Sequence, residues 1–255
     1  MQATIDLKGM SRWRAAAIHL AVCCIVAALV AAVLFGLWYP PPYFHAAGAD
    51  RLLLLIAGVD LVLGPLLTLI VFRSGKPSLR FDLTMIGLVQ VAALTYGLHV
   101  LTQARPVFLV GSVDRFVLVS ASQLSPGDLA TADPVYRGLS WTGPRLVGAT
   151  LPTDADERNT LLNSALQGKD IERLPRYYVD YRRAASALLK HARPLASLRR
   201  RSTEANELVG AWLAEHAVPQ ADLAWLPVTA RGADLVMLVR RTNGEPVGAL
   251  PLDPW

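Results

Sequence analysis

Two carboxylates in apolar surroundings are the first candidates for chemistry. Asp60 lies inside the apolar run Leu52 to Phe72, and Asp82 opens the next one. Two acids that share one water can cleave a peptide, one activating the water and the other donating a proton. That would make an intramembrane aspartyl protease. The spacing opposes it. If both runs are helices crossing a bilayer, helix rise puts the acids about 16 Å apart in depth. A proton or ion path needs a relay, and near the middle of the bilayer the sequence offers only Asp60 and Gln90. An ionisable residue within a span marks a functional site by default. Asp60 therefore reads as a contact with another membrane helix, and Asp60→Leu is expected to weaken such a complex without unfolding the protein.

Other chemistry is sparse. There is no GxGxxG, P-loop, GxSxG or HExxH pattern. Cys23 and Cys24 are adjacent, which suits neither a CxxC redox pair nor a zinc half-site. They read as small packing residues. His191 and His216 stand apart from any ligand cluster. No cofactor, metal or catalytic residue is expected. The run Arg199-Arg200-Arg201 suits an acidic protein surface or anionic lipid headgroups outside the membrane, or simply a solvated helix start. Nucleic acid is not an expected partner, because the net charge of +5 gathers near the membrane spans.

The elements that position these residues follow from hydropathy. The chain has 255 residues, 53% of them apolar and 18% charged, against about 25% charged in a soluble protein. The apolar excess sits in the first hundred residues. Residues 1–104 are expected to form three transmembrane helices, at about 15–38, 52–72 and 81–101, each near the 20 residues or so that cross a bilayer. Trp13, Trp38 and Tyr39 bracket the first span as interfacial aromatics do. A cleaved signal peptide is the alternative there, with Ala47-Gly48-Ala49 as its site, but the apolar run is too long for it. Pro40-Pro41-Pro42 stops the helix.

Lys8, Arg12 and Arg14 before the first span, and Arg73, Lys76 and Arg80 between the second and third, outweigh Asp6. By the positive-inside tendency the amino terminus is cytoplasmic. Everything from Gln103 onward is then outside, periplasmic in a Gram-negative cell. Along the first helix Cys24, Ala28, Ala32 and Gly36 recur every fourth residue, a pattern that permits close helix approach. On the second, Ala57, Asp60, Gly64 and Thr68 share one face, and Pro65 should kink it. Asp60 should lie about 12 Å below the outer end, near the level of Gln90, and a hydrogen bond between the two side chains is expected. Asp82 should cap the third helix or pair with the basic loop.

Arg105-Pro106 starts a globular region, 105–255, with almost no linker, so it should sit against the membrane surface. Val107 to Val110 and Arg115 to Ala121 read as strands, Leu124 to Ala132 as loop or short helix, and Leu139 to Leu151 as extended chain. Thr153 and Asp156 have capping-box spacing for a helix that Gly168 stops. Helices follow around Tyr181 to Leu189 and Leu208 to Leu213. Leu223 to Thr229, Leu235 to Arg240 and Val247 to Leu250 close the chain as strands, the last two joined by an Asn243-Gly244 hairpin turn. The expected fold is α-helical membrane domain plus α+β domain with a small antiparallel sheet.

At particular residues the chain resembles the TfpX/TfpZ family of type IV pilin accessory proteins. The likeness lies in Arg12 and Arg14 before the span ending Trp38-Tyr39-Pro40-Pro41-Pro42, in Gly58-Val59-Asp60 through Gly64-Pro65 to Thr68, and in Ser78-Leu79-Arg80-Phe81-Asp82-Leu83. It continues through Ala104-Arg105-Pro106-Val107-Phe108, Val113-Asp114-Arg115-Phe116, Trp141-Thr142-Gly143-Pro144-Arg145-Leu146 and Leu250-Pro251-Leu252-Asp253-Pro254. The likeness implies a bacterial inner-membrane protein, without enzymatic activity, that assists the major pilin in stability, assembly or pilus dynamics. It does not say where the pilin binds. Joined to the helix patterns, it places the pilin helix beside Ala28, Ala32 and Gly36, or beside Ala57, Asp60, Gly64, Thr68 and Gln90. A membrane-anchored sensor is the alternative; it would need a cytoplasmic effector, which the short tail and loop do not supply.

Overall fold

The computed structural model describes residues 9–255; the expectations for Asp6 and Lys8 lie outside them. Three helices are long and apolar enough to span a membrane: α1 (Arg12–Trp38), α2 (Ala49–Val71) and α3 (Leu79–Ala104). The protein is therefore read as a membrane protein. Ser11 caps α1, its hydroxyl accepting from the Arg14 amide. At the start of α3 the Lys76 ammonium meets Asp82 at 2.6 Å and the Ser78 hydroxyl also donates to it, so Asp82 pairs with the loop.

Where a kink was expected, α2 contains a π-helical turn, Val59–Leu63. Pro65 has no amide hydrogen for the carbonyl four residues back. The ladder adapts: the Gly64 amide reaches one residue further, to the Val59 carbonyl. Asp60 sits inside this widened turn. Such bulges are frequent at functional sites.

The chain divides into two compact units, Met1–Gly36 with Ala49–Thr102 and Leu37–Gly48 with Gln103–Trp255. The α1–α2 connection thus packs with the globular part. Tyr39 and Ala46 are fully buried there, and the Gly232 amide donates to the Ala46 carbonyl at 2.7 Å. Burial pushes the Tyr39 phenol up from its ordinary pKa and lowers that of the Arg105 guanidinium.

The globular unit is an α+β domain built on one mixed sheet. Its strands are β1 (Pro106–Ser112), β2 (Arg115–Ser120), β3 (Arg145–Ala149), β4 (Tyr178–Val179), β5 (Arg193–Pro194), β6 (Leu223–Thr229), β7 (Leu235–Arg240) and β8 (Pro246–Leu250). The order is β4-β3-β1-β2-β6-β7-β8, with β5 on β6. The expectation of a small antiparallel sheet is corrected here. The hairpins β1–β2, β6–β7 and β7–β8 are antiparallel, but β1–β3 and β2–β6 are parallel. Parallel pairs join strands that are distant in sequence through crossovers, so no local pattern announces them.

Short and longer helices cover the sheet: α4 (Pro126–Ala130), α5 (Ala155–Leu166), α6 (Tyr181–Leu189), α7 (Leu195–Arg199) and α8 (Thr203–His216). Asp154, not Thr153, caps α5, accepting from the amides of Asp156 and Glu157. The expected capping box is thus one residue out. One core gathers Phe108, Val110, Val119 and Val147 with Leu161, Ile171 and Tyr178. A second packs Leu198, Val209 and Trp212 against Trp225, Val236 and Leu238. All seven β1 residues are buried, because α6 covers the face that the first core leaves.

Candidate contact surface in the membrane helices

Asp60, Gln90 and Gly64 meet inside the three-helix unit. The Gln90 amide donates to the main-chain carbonyl of Asp60 at 3.2 Å and to the Cys23 sulfur at 3.7 Å. Gly64 makes room for it: a Cβ there would lie 2.1 Å from Gln90 Nε2. The expected pairing of Asp60 with Gln90 therefore exists, but through the peptide carbonyl. Asp60 Oδ1 is buried with no hydrogen-bond partner. The bulge explains the difference. A π-turn frees carbonyls from the ladder, and a freed carbonyl in hydrocarbon needs a donor.

Around this point the helices leave a cavity of about 220 Å³ lined by His19, Cys23, Ala57, Asp60, Gln90 and apolar side chains of α1, α2 and α3. Thr68 is 2% exposed, and its hydroxyl lies 2.6 Å from His19 Nδ1. So the stripe Ala57, Asp60, Gly64 and Thr68 faces the inside of its own bundle. His19 and Cys23 belong to this polar cluster and were not expected there. Their spacing of four on α1, with one of them polar, was the available signal.

The other stripe points away. Cys24, Ala28, Ala32 and Gly36 are all exposed, whereas Cys23 is buried. Nothing lies within 4 Å of a Cβ placed at Gly36. This is a small-residue face about 18 Å long by helix rise, turned outward from the bundle. A second helix can approach closely along it.

The arginine run of the globular unit is partly committed to its own fold. Arg199 donates to Asn206 Oδ1 at 2.8 Å and to Gln220 Oε1 at 2.5 Å. Arg201 donates to the Pro254 carbonyl. Arg200 points to solvent. His216 stacks on Trp212, ring centroids 4.1 Å apart. Among the described residues no three His, Cys, Asp or Glu come together as a metal site.

The fimbrial assembly protein of Dichelobacter nodosus serogroup I is 34% identical over 181 residues, 70% of either chain. This chain belongs to the fimbrial assembly protein family. Its serogroup E1 relative is 28% identical over 241 residues, 93% of this chain and 94% of that one. The relative from serogroups C1 and C2 is 35% identical over 117 residues, 45% of this chain and 89% of that one. The family description Fimbrial assembly protein FimB matches residues 8–48, the stretch that holds α1 and its outward stripe. No solved structure matches the chain.

Proposed function

We propose that this fimbrial assembly family member is a non-enzymatic accessory protein that holds the major type IV pilin and modulates its stability, assembly into the pilus or dynamics there. It acts in the bacterial inner membrane, amino terminus cytoplasmic and globular unit periplasmic, as Lys8, Arg12 and Arg14 at the start of the first span and Arg73, Lys76 and Arg80 around the turn from α2 into α3 favour. The names of its relatives support the assembly role, and the resemblance to type IV pilin accessory proteins supports the pilin as client. The reading needs the bilayer and the pilin as partners, and no nucleic acid or cofactor.

The observation that carries the binding mode is the outward stripe Ala28, Ala32 and Gly36. Helices associate in lipid through close packing, which small residues permit. Gly64, Thr68 and Gln90 are occupied within the bundle, so they support the seat from behind. Ala57 and Asp60 border the cavity and form a second, inner face. Arg200 remains free to meet an acidic patch on the pilin head; Arg199 and Arg201 are fixed at home.

The test is co-purification of pilin with the tagged protein after mild detergent extraction. Ala28→Leu with Ala32→Leu should cut the captured pilin by about tenfold or more, the equivalent of about 1.4 kcal/mol. Asp60→Leu reports on the inner face. Full capture by the double variant, with loss in Asp60→Leu, would move the seat to the cavity. Capture of cleaved pilin dependent on Asp60 and Asp82 would restore the protease.

A further inference from the structure

Trp141 lies at the surface of the globular unit. It is 58% exposed, yet its ring is held in place from several sides. The Trp38 ring centroid lies 6.2 Å away, tilted by 48°. The Arg105 guanidinium covers the ring at 4.2 Å. Arg105 is itself 5% exposed and donates from Nε to the Ser140 carbonyl at 3.1 Å. On the other side of the loop Gly143 adopts φ +80°, where a Cβ would fall 2.8 Å from Pro40 Cγ. The indole is thus an ordered apolar surface presented outward rather than a mobile side chain.

Trp38 fixes the level of this loop. It is the last residue of α1, a helix of membrane-spanning length, and so marks the headgroup layer where that span ends. Indole rings favour that layer, with an apolar body and a polar edge. Gly138 to Pro144 contains no charged residue, and arginines flank it at 137 and 145. Both are committed to the fold, Arg137 donating to the Ala132 carbonyl at 3.0 Å and Arg145 to the Val135 carbonyl at 2.8 Å, so the uncharged loop itself carries the contact.

We propose that the loop Gly138 to Pro144 is a lipid-contacting surface, in which Trp141 inserts into the headgroup layer beside Trp38 and fixes the globular unit on the bilayer. The occupant is phospholipid of the leaflet where α1 ends. Arg105 is a positioning residue: it holds the indole and the loop carbonyl, and it does not itself need to reach lipid. This surface is separate from the α1 stripe and is independent of the pilin reading.

The full-length protein in nanodiscs of zwitterionic and anionic phospholipid tests it, with lipids brominated either high or low on the acyl chain. The difference between wild type and Trp141→Phe isolates the emission of Trp141. It should be quenched by the shallow bromolipid more than by the deep one, and shielded from aqueous iodide. Emission quenched by iodide and untouched by either bromolipid overturns the proposal and leaves the loop to solvent or a protein partner. If Trp141→Phe does not fold, a nitroxide on Thr142→Cys, with Cys23 and Cys24 replaced by alanine, reads the same depth. Oxygen should then relax it more than a nickel chelate does; the reverse ratio overturns the proposal. No pilin is present, so neither result touches the pilin reading.

Discussion

Gly111 and Gly148 lie side by side in register across β1 and β3, and together they pave the seat of α6. A Cβ at Gly148 would come 2.5 Å from Ala184 Cβ, and one at Gly111 2.7 Å from Leu188. Gly148→Ala should therefore lower the stability of the globular unit by about 1–3 kcal/mol, measured by denaturant titration in detergent. Asp128 gives a pH-dependent case. Burial alone would raise its carboxyl, but Lys169 at 2.5 Å and the Ser125 cap outweigh burial and hold its pKa below the ordinary 3.8. A carboxyl lowered on folding contributes stability above its unfolded value, and the contribution fades as pH falls through the lowered one. Lys169→Ala should flatten the stability profile between about pH 5 and pH 2. The effect is about 1 kcal/mol or less, because the lysine side chain is 38% exposed and the pair is screened by water. Thermal melts across that range decide it. At this scale the sequence shows residue types but not partners. Asp60 and Gln90 could be matched by depth, whereas Pro65 announced a break in the helix but not the bulge that set the bonded atom.

At the scale of elements, Pro65 governs α2. Pro65→Ala restores the amide that the Leu61 carbonyl lacks, so the π-turn at Val59–Leu63 should relax toward an ordinary α-helix. Asp60 would rotate away from Gln90. A disulfide engineered between α2 and α3 below the bulge should then form more slowly, and an unchanged rate would contradict the cause given for the turn. Gln90→Leu removes both bonds of the amide and should weaken bundle stability by about 0.6–1.7 kcal/mol; a steric-trap or detergent unfolding assay measures it. The helices and most strands were legible because hydrophobic period and turn residues are local signals. Leu223–Thr229 and Leu235–Arg240 were found to the residue, with a glycine at φ +74° in the Asn243-Gly244 turn. The parallel joins of β1 with β3 and β2 with β6 were not, since their partners are set by packing across long crossovers. The short helix α7 was also missed: five residues behind a proline give little periodicity.

For the whole molecule, hydropathy divides membrane from globular sequence near residue 104, but the fold divides differently. Residues Leu37–Gly48 belong to the globular unit, tied by the Gly232 and Ala233 amides to the Ala46 carbonyl. A Cβ at Gly232 would meet the main chain of Gly48 and His45 at 2.5 Å. That docking was invisible in a segment that reads as a simple proline-rich turn. Which helix face looks outward was likewise beyond the sequence, because both small-residue stripes have a spacing that keeps them on one helix face and only the packed bundle shows that one is used up. The central claim, a pilin helix held along the outer face of α1, is tested most directly by photocrosslinking in living cells. A photoreactive residue is placed at Ala28, Ala32 or Gly64 in turn. The account predicts an intact pilin adduct from positions 28 and 32 and none from 64. Adducts from 64 with none from 28 or 32, or no pilin adduct at all, would contradict it.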